Sequence, residues 1–288
     1  MKRKLIDDNI LKSLEKLHFK VKKKSLGKNQ GPHSSLKKGS GIEFSDFRIY
    51  SLGDNPKNID WNVYAKTEKL YLKEFKEYQN INFFIYLDVS ASMDTPKENS
   101  KLETALKLAS SLSYISLINN ENLTIAASNN FFLNKLSNKK QFNLILEKLS
   151  DITPTSDDFF NDNLSLYLST LKFPGIAVCI SDFLTPFENI KLGLDKIISK
   201  NFETHLIKIT DPNFKDYFNG KNARFIDSET KEEKMISFDN NILQDYFKNY
   251  NNHIEKIKTY AKIHDVMFYT LNIGDDIITF LNEKGLCR

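Results

Sequence analysis

The sequence predicts an α/β protein, a doubly wound and mainly parallel sheet flanked by helices, with a strand-and-loop extension on its amino-terminal side. Two observations predict it. Phe83-Phe84-Ile85-Tyr86-Leu87 and Ile176-Ala177-Val178-Cys179-Ile180 are unbroken apolar runs, the pattern of strands buried on both faces. Between residues 81 and 281 such runs alternate with segments of helical periodicity, as crossover connections of a parallel sheet require.

In chain order, Ile10, Leu11, Leu14, Leu17 and Val21 recur at helical spacing and predict a helix within 7–24, started by Asp7 or Asp8. Lys22-Lys23-Lys24 reads as its solvated end or as a contact to an anionic surface. Residues 27–41, rich in Gly, Ser, Lys and Pro, read as a loop. Gly53-Asp54-Asn55-Pro56 is a turn between short strands, and Trp61, the single tryptophan, is expected to anchor in the core. After the Phe83 strand, residues 101–118 place Leu102, Ala105, Leu106, Ala109, Leu112 and Ile115 on one helical face. Strands follow at 123–127 and 131–136, and helices at 141–149 and 162–171. The second apolar run leads to a helix over 189–199 and a strand over 205–209. A turn-rich insertion at about 213–240 reads as a hairpin, followed by a helix over 241–264, a strand over 266–271 and a short closing helix. These elements divide into a basic helix and arm (1–30), an extension packing on the core (31–78) and the α/β domain (79–288).

Charge is unevenly distributed. Residues 1–40 carry a net charge of +9 and the remainder −5. Only four of the 41 basic residues are arginine, which weighs against sequence-specific nucleic-acid binding, where bidentate arginine dominates. Nonspecific polyanion binding through the basic arm stays open. Two isolated cysteines, Cys179 and Cys287, and no apolar stretch long enough to cross a membrane lead to the expectation of a soluble, cytoplasmic protein without a transmembrane segment.

The chemistry concentrates where the Phe83 strand stops. Asp88-x-Ser90-x-Ser92 puts a carboxylate and two phased hydroxyls at the carboxyl end of a buried strand, where open α/β sheets bind ligands. Hard oxygen donors suit Mg²⁺, Mn²⁺ or Ca²⁺. Asp182 and Asp211 end two further strands, although Asp211, beside Pro212, is explained as the start of a loop.

Asp88-x-Ser90-x-Ser92 resembles the metal-ion-dependent adhesion site of von Willebrand factor type A domains. Gly41, Glu43, Phe44, Arg48, Tyr50, Gly53, Asp54, Ile59, Asp60, Trp61 and Ala65 are similar to the signature of domain-of-unknown-function family 58. The resemblance covers residues 31–280. It implies a von Willebrand factor A-like domain with a metal held by Asp88, Ser90, Ser92, a second-loop hydroxyl (Thr155 or Ser156) and Asp182. It also implies a MoxR-type AAA+ ATPase as partner, a role in maturing other proteins, and a client protein that offers an acidic residue to the metal. The chain departs from the pattern in lacking Gly-Gly before the second-loop hydroxyl and in having Lys66 where an arginine is usual. Glu43, Arg48, Asp54, Asp60 and Trp61 read either as a charge-paired brace or as a docking face for the ATPase.

The expected function is therefore a non-enzymatic, metal-dependent protein-binding module. The alternative is a Mg²⁺-dependent phosphoryl-transfer enzyme of haloacid-dehalogenase type. Such enzymes place a general-acid carboxylate two residues after the nucleophilic aspartate, and Ser90 stands there instead. No nucleophile elbow, His-Glu-x-x-His or Cys-x-x-Cys motif is present.

Overall fold

The computed structural model describes residues 5–19, 31–39, 43–51, 53–79, 81–155, 159–160, 163–214, 223–226, 233–236, 240–284 and 286–287. The chain forms two compact units, one of residues 23–81 and one of residues 1–22 with 82–288.

The second of these begins with helix α1 (Asp8–Leu14). The periodicity predicted a longer helix, but Leu17 and Phe19 leave it to be buried. Phe19 makes an antiparallel bridge to Cys287 and stacks on Phe83 at 4.1 Å between ring centroids. That tertiary contact outweighs the local helical preference. Residues 22–24, the lysine run, lie outside the described residues.

The smaller unit is a three-stranded antiparallel sheet, with β1 (Gly31–Gly39) and β2 (Glu43–Ile49) either side of β3 (Tyr71–Gln79). The loop expected over 27–41 is corrected, since most of it is β1. Its pairing with β3 shifts register three times, so the strand owes its existence to a partner and not to its own Gly- and Ser-rich sequence. Helix α2 (Trp61–Thr67) connects β2 to β3 after a turn in which Gly53 adopts φ +101°, a backbone state that glycine reaches without steric cost.

In the larger unit, β4 (Asn82–Leu87) is followed by α3 (Lys101–Ile118), β5 (Asn122–Ala127), β6 (Phe132–Leu136), α4 (Phe142–Ser150) and α5 (Asn163–Thr170). Then come β7 (Gly175–Ser181), α6 (Phe187–Ser199) and β8 (Glu203–Thr210). The turn-rich stretch carries an antiparallel pair, β9 (Ala223–Ile226) with β10 (Glu233–Ile236), before α7 (Asn240–Ile263), β11 (Met267–Asn272) and α8 (Ile277–Glu283).

Six strands form one sheet in the order β11-β8-β7-β4-β5-β6. All neighbours are parallel except β5 and β6. Every residue of β4 and β7 is buried. Each large apolar side chain so covered contributes about 1.5–3 kcal/mol. At Gly175 an added Cβ would stand 1.8 Å from the Asn82 carbonyl oxygen, so only glycine lets β7 start this close to β4. Tyr86, Phe159, Phe160 and Phe183 form an aromatic cluster on one face of the sheet. On the other face lies α3, buried almost all round and not along one stripe, because α1 and α4 also pack against it. Two of its inward serines are satisfied locally: Ser110 and Ser113 donate to the carbonyls of Leu106 and Ala109 at 2.8 and 2.6 Å.

Candidate functional site

From β4 the chain moves to β5 and β6 on one side of the sheet, and β7, β8 and β11 lie on the other. The switch point of the sheet is therefore the gap between the carboxyl ends of β4 and β7. Such a gap is the natural ligand crevice of an open parallel sheet. The residues that follow those two strands are Asp88 and, after Ser181, Asp182.

Asp88 is 1% exposed. Its backbone N–H donates to the Ile180 carbonyl at 2.9 Å, which continues the β4–β7 ladder past the last paired residues. One carboxylate oxygen accepts the Ser90 N–H at 2.9 Å, turning the chain, and the other accepts the Ser181 hydroxyl. Ser90 Oγ and Ser92 Oγ are 3.0 Å apart. Thr155 joins this loop by a parallel bridge to Ser90, its N–H donating to the Val89 carbonyl at 2.8 Å. The Tyr86 hydroxyl donates to the Phe159 carbonyl at 2.6 Å and ties the same segment to β4. Ser156 lies outside the described residues.

Asp182 is 4% exposed. Its Oδ1 accepts the Leu184 N–H at 3.2 Å, and its Oδ2 lies 2.5 Å from the Lys101 ammonium at the start of α3. The loop is held in shape by Phe183, which adopts φ +55°. The Phe183 N–H donates to Ser181 Oγ at 2.8 Å, and the Phe183 carbonyl accepts from His253 Nε2 of α7, also at 2.8 Å. On the other side of Asp88, the Val89 N–H donates to Ser128 Oγ at the end of β5, at 3.2 Å.

Burial, and after it the negative charge of Asp182, push the Asp88 carboxyl up to about 6, against the opposing hydrogen bonds from Ser181 and Ser90. The two carboxylates are therefore near enough for the charge of Asp182 to oppose the ionisation of Asp88. The phenol of Tyr246 is raised by burial first, then by Tyr250 and Asp182, and α7 is tied to the Asp182 loop by the hydrogen bond from His253 to the Phe183 carbonyl.

The structure thus brings together Asp88, Ser90, Ser92, Thr155 and Asp182 from three separate loops. Their donors are hard oxygens, the set that Mg²⁺, Mn²⁺ and Ca²⁺ take. Among the described residues no three His, Cys, Asp or Glu side chains gather, so hydroxyls would have to complete the shell of any bound dication. Lys101, Ser181, Ser128 and His253 were not found by sequence reasoning. Ser181 had a signal, because it adjoins Asp182 at a strand end. Lys101 had none, since it reads as an ordinary first residue of a helix.

The five residues considered for docking lie in the smaller unit. Arg48 pairs with Asp54 at 2.7 Å, and that hydrogen bond holds the Asp54 carboxyl below the usual carboxylate range. Asp60 caps α2, accepting the N–H groups of Asn62 and Val63 at 2.9 and 3.2 Å, and pairs with Lys73 at 3.1 Å. The core anchor expected at Trp61 is corrected, since the side chain is 63% exposed. With Asp60 in the cap position, Trp61 opens a helix that has no buried residue, and its ring rests edge-on against Tyr64. The backbone of Glu43 starts β2.

Residues 46–256 match the family described as protein of unknown function DUF58. The chain belongs to this family. Uncharacterized proteins of Mycobacterium bovis and Mycobacterium tuberculosis are similar to this DUF58 chain at 24% identity over 214 residues, which is 72% of the chain and 67% of each relative. Among solved structures, it resembles conserved hypothetical protein BatB from Bacteroides thetaiotaomicron (14% identity, 71% of this chain and 97% of that one, TM-score 0.43). It also resembles an aerotolerance-related membrane protein from Bacteroides fragilis (14% identity, 72% and 98%, TM-score 0.42). At these scores the likenesses carry no argument about the DUF58 fold. The cytoplasmic location expected from the sequence is withdrawn as a correction, since nothing in the sequence separates a free protein from one attached to a membrane surface. Two unpaired thiols and the lack of a long apolar run never bore on attachment. No helix among the described residues is long and apolar enough to cross a membrane.

Proposed function

We propose that this DUF58 chain is a non-enzymatic, metal-dependent protein-binding module of the von Willebrand factor A type, an adaptor for a MoxR-type AAA+ ATPase in the maturation of other proteins. The observation that supports it is the meeting of Asp88 and Asp182 at the switch point of the sheet, with the Ser90 and Ser92 hydroxyls 3.0 Å apart and Thr155 bridged to Ser90. In this reading Asp88, Ser90, Ser92, Thr155 and Asp182 hold Mg²⁺, Mn²⁺ or Ca²⁺, and the dication supplies an open coordination position to an acidic residue of a client protein. Ser181, Ser128 and His253 act through the backbone and Asp88, fixing the loops so that the donors are oriented in advance. The exposed Trp61, with Tyr64 and the Arg48–Asp54 pair, favours ATPase docking over a bracing role for that unit.

Calorimetric titration with Mg²⁺ or Mn²⁺ tests the site. The wild type is expected to release heat and to melt higher, and Asp88→Ala to do neither. Equal responses of the two proteins would overturn the reading. Trp61→Ala is expected to lose ATPase binding with its melting transition intact.

A further inference from the structure

The metal reading leaves one charged group of the crevice without a part. The Lys101 ammonium lies 2.5 Å from Asp182 Oδ2, and the two side chains are 11% and 5% exposed. Its position is set by the start of α3, where Ser100 caps the helix by accepting the Glu103 N–H at 3.1 Å and the Lys101 N–H donates to the Thr95 carbonyl at 3.2 Å. Neither helix nor core favours a cation there. The first turn of a helix is the positive end of its dipole, and burying lysine sacrifices hydration and side-chain freedom. The attraction comes from Asp182. Asp88, by contrast, is held by two neutral donors, the Ser181 hydroxyl and the Ser90 N–H.

We propose that Lys101 is a built-in counter-cation of this crevice, competing with a divalent ion for Asp182, so that a dication binds only as the ammonium is released. This rests on the reading of the crevice as a dication site. While the ammonium stays seated, one oxygen of Asp182 is occupied and a dication would bring three positive charges onto two buried carboxylates, at distances and in surroundings where water screens poorly. Once it leaves, the charges balance. The four-carbon stem of lysine lets the ammonium swing away while α3 stays in place. Lys101 therefore sets the affinity of the site and keeps Asp182 compensated when no metal is bound.

The test compares Mg²⁺ binding by wild type, Lys101→Gln and Lys101→Arg, using calorimetry. Glutamine keeps an N–H donor for Asp182 and removes the charge, and it is expected to bind Mg²⁺ about tenfold tighter than the wild type. Arginine keeps the charge and is expected to bind no tighter than the wild type. If Lys101→Gln binds as the wild type does, or more weakly, the role of Lys101 is overturned while the dication site stands. If neither protein binds Mg²⁺, both fall together. Should Lys101→Gln lose its fold, the wild type decides by amine acetylation read by mass spectrometry. Lys101 is expected to label severalfold faster in Mg²⁺ than in chelator, and unchanged labelling alongside a Mg²⁺-induced melting shift overturns the competition.

Discussion

Two ion pairs of nearly equal length sit in the two units of this protein. Lys101–Asp182 measures 2.5 Å and Arg48–Asp54 2.7 Å, yet the first pair has side chains 11% and 5% exposed and the second 41% and 23%. The contrast teaches that distance says little about what an ion pair does. In the antiparallel unit water already solvates both charges, so the pair adds little beyond a preferred geometry. At the switch point of the parallel sheet each charge depends on the other, and removing one strands its partner.

The largest effect is therefore expected at Lys101. In metal-free buffer Lys101→Met should lose about 3 kcal/mol of stability by urea unfolding, as breaking a buried pair does. A loss no greater than that of Arg48→Ala would erase the distinction between the two regions.

A smaller effect sharpens the contrast through pH. The folded Asp88 carboxyl titrates at about 6, above its ordinary value of 3.8. Native Asp88 thus keeps its proton where the unfolded chain has released it. The resulting stability is complete below the unfolded value and is lost as pH rises through the folded one. With chelator present, wild-type stability should fall between about pH 4 and pH 6. Asp88→Asn should flatten that slope and be more stable at pH 7 by about 2 kcal/mol. A wild-type profile that rises across the window would refute the assignment.

The smallest effect belongs to the exposed pair. Arg48→Ala should leave the urea midpoint where it is in low and in high salt, since its partner Asp54 stays hydrated and keeps the Ser51 N–H, which it accepts at 2.8 Å. A clear loss of stability would mean that this region is braced by charge after all, and that the two units differ less than their exposures indicate.

The strands and their endings were legible because burial on both faces leaves a mark that short-range patterns carry. Phe83–Leu87 and Ile176–Ile180 could hardly be anything else, and the carboxylates after them followed directly. The helices at 101–118, 141–149 and 189–199 were equally legible, each found within two residues of its expected bounds. The early helix was overestimated because the helical spacing of Leu14, Leu17 and Val21 runs on past Leu14, while Phe19, outside that spacing, bridges to Cys287 at the far end of the chain. The strand at 31–39 was missed for the opposite reason, a local composition that signals a loop while a partner strand supplies the hydrogen bonds.

By itself, the sequence determined where carboxylates and hydroxyls stand along the chain, since strand endings and turn residues are local properties. Only the tertiary structure decided which of them meet. Lys101 and Asp182 are 81 positions apart, and β7 could have lain on either side of β4 without changing one local signal. Strand order is settled by the packing of whole layers, and it is that order which brings two carboxylates and an ammonium into a single buried crevice.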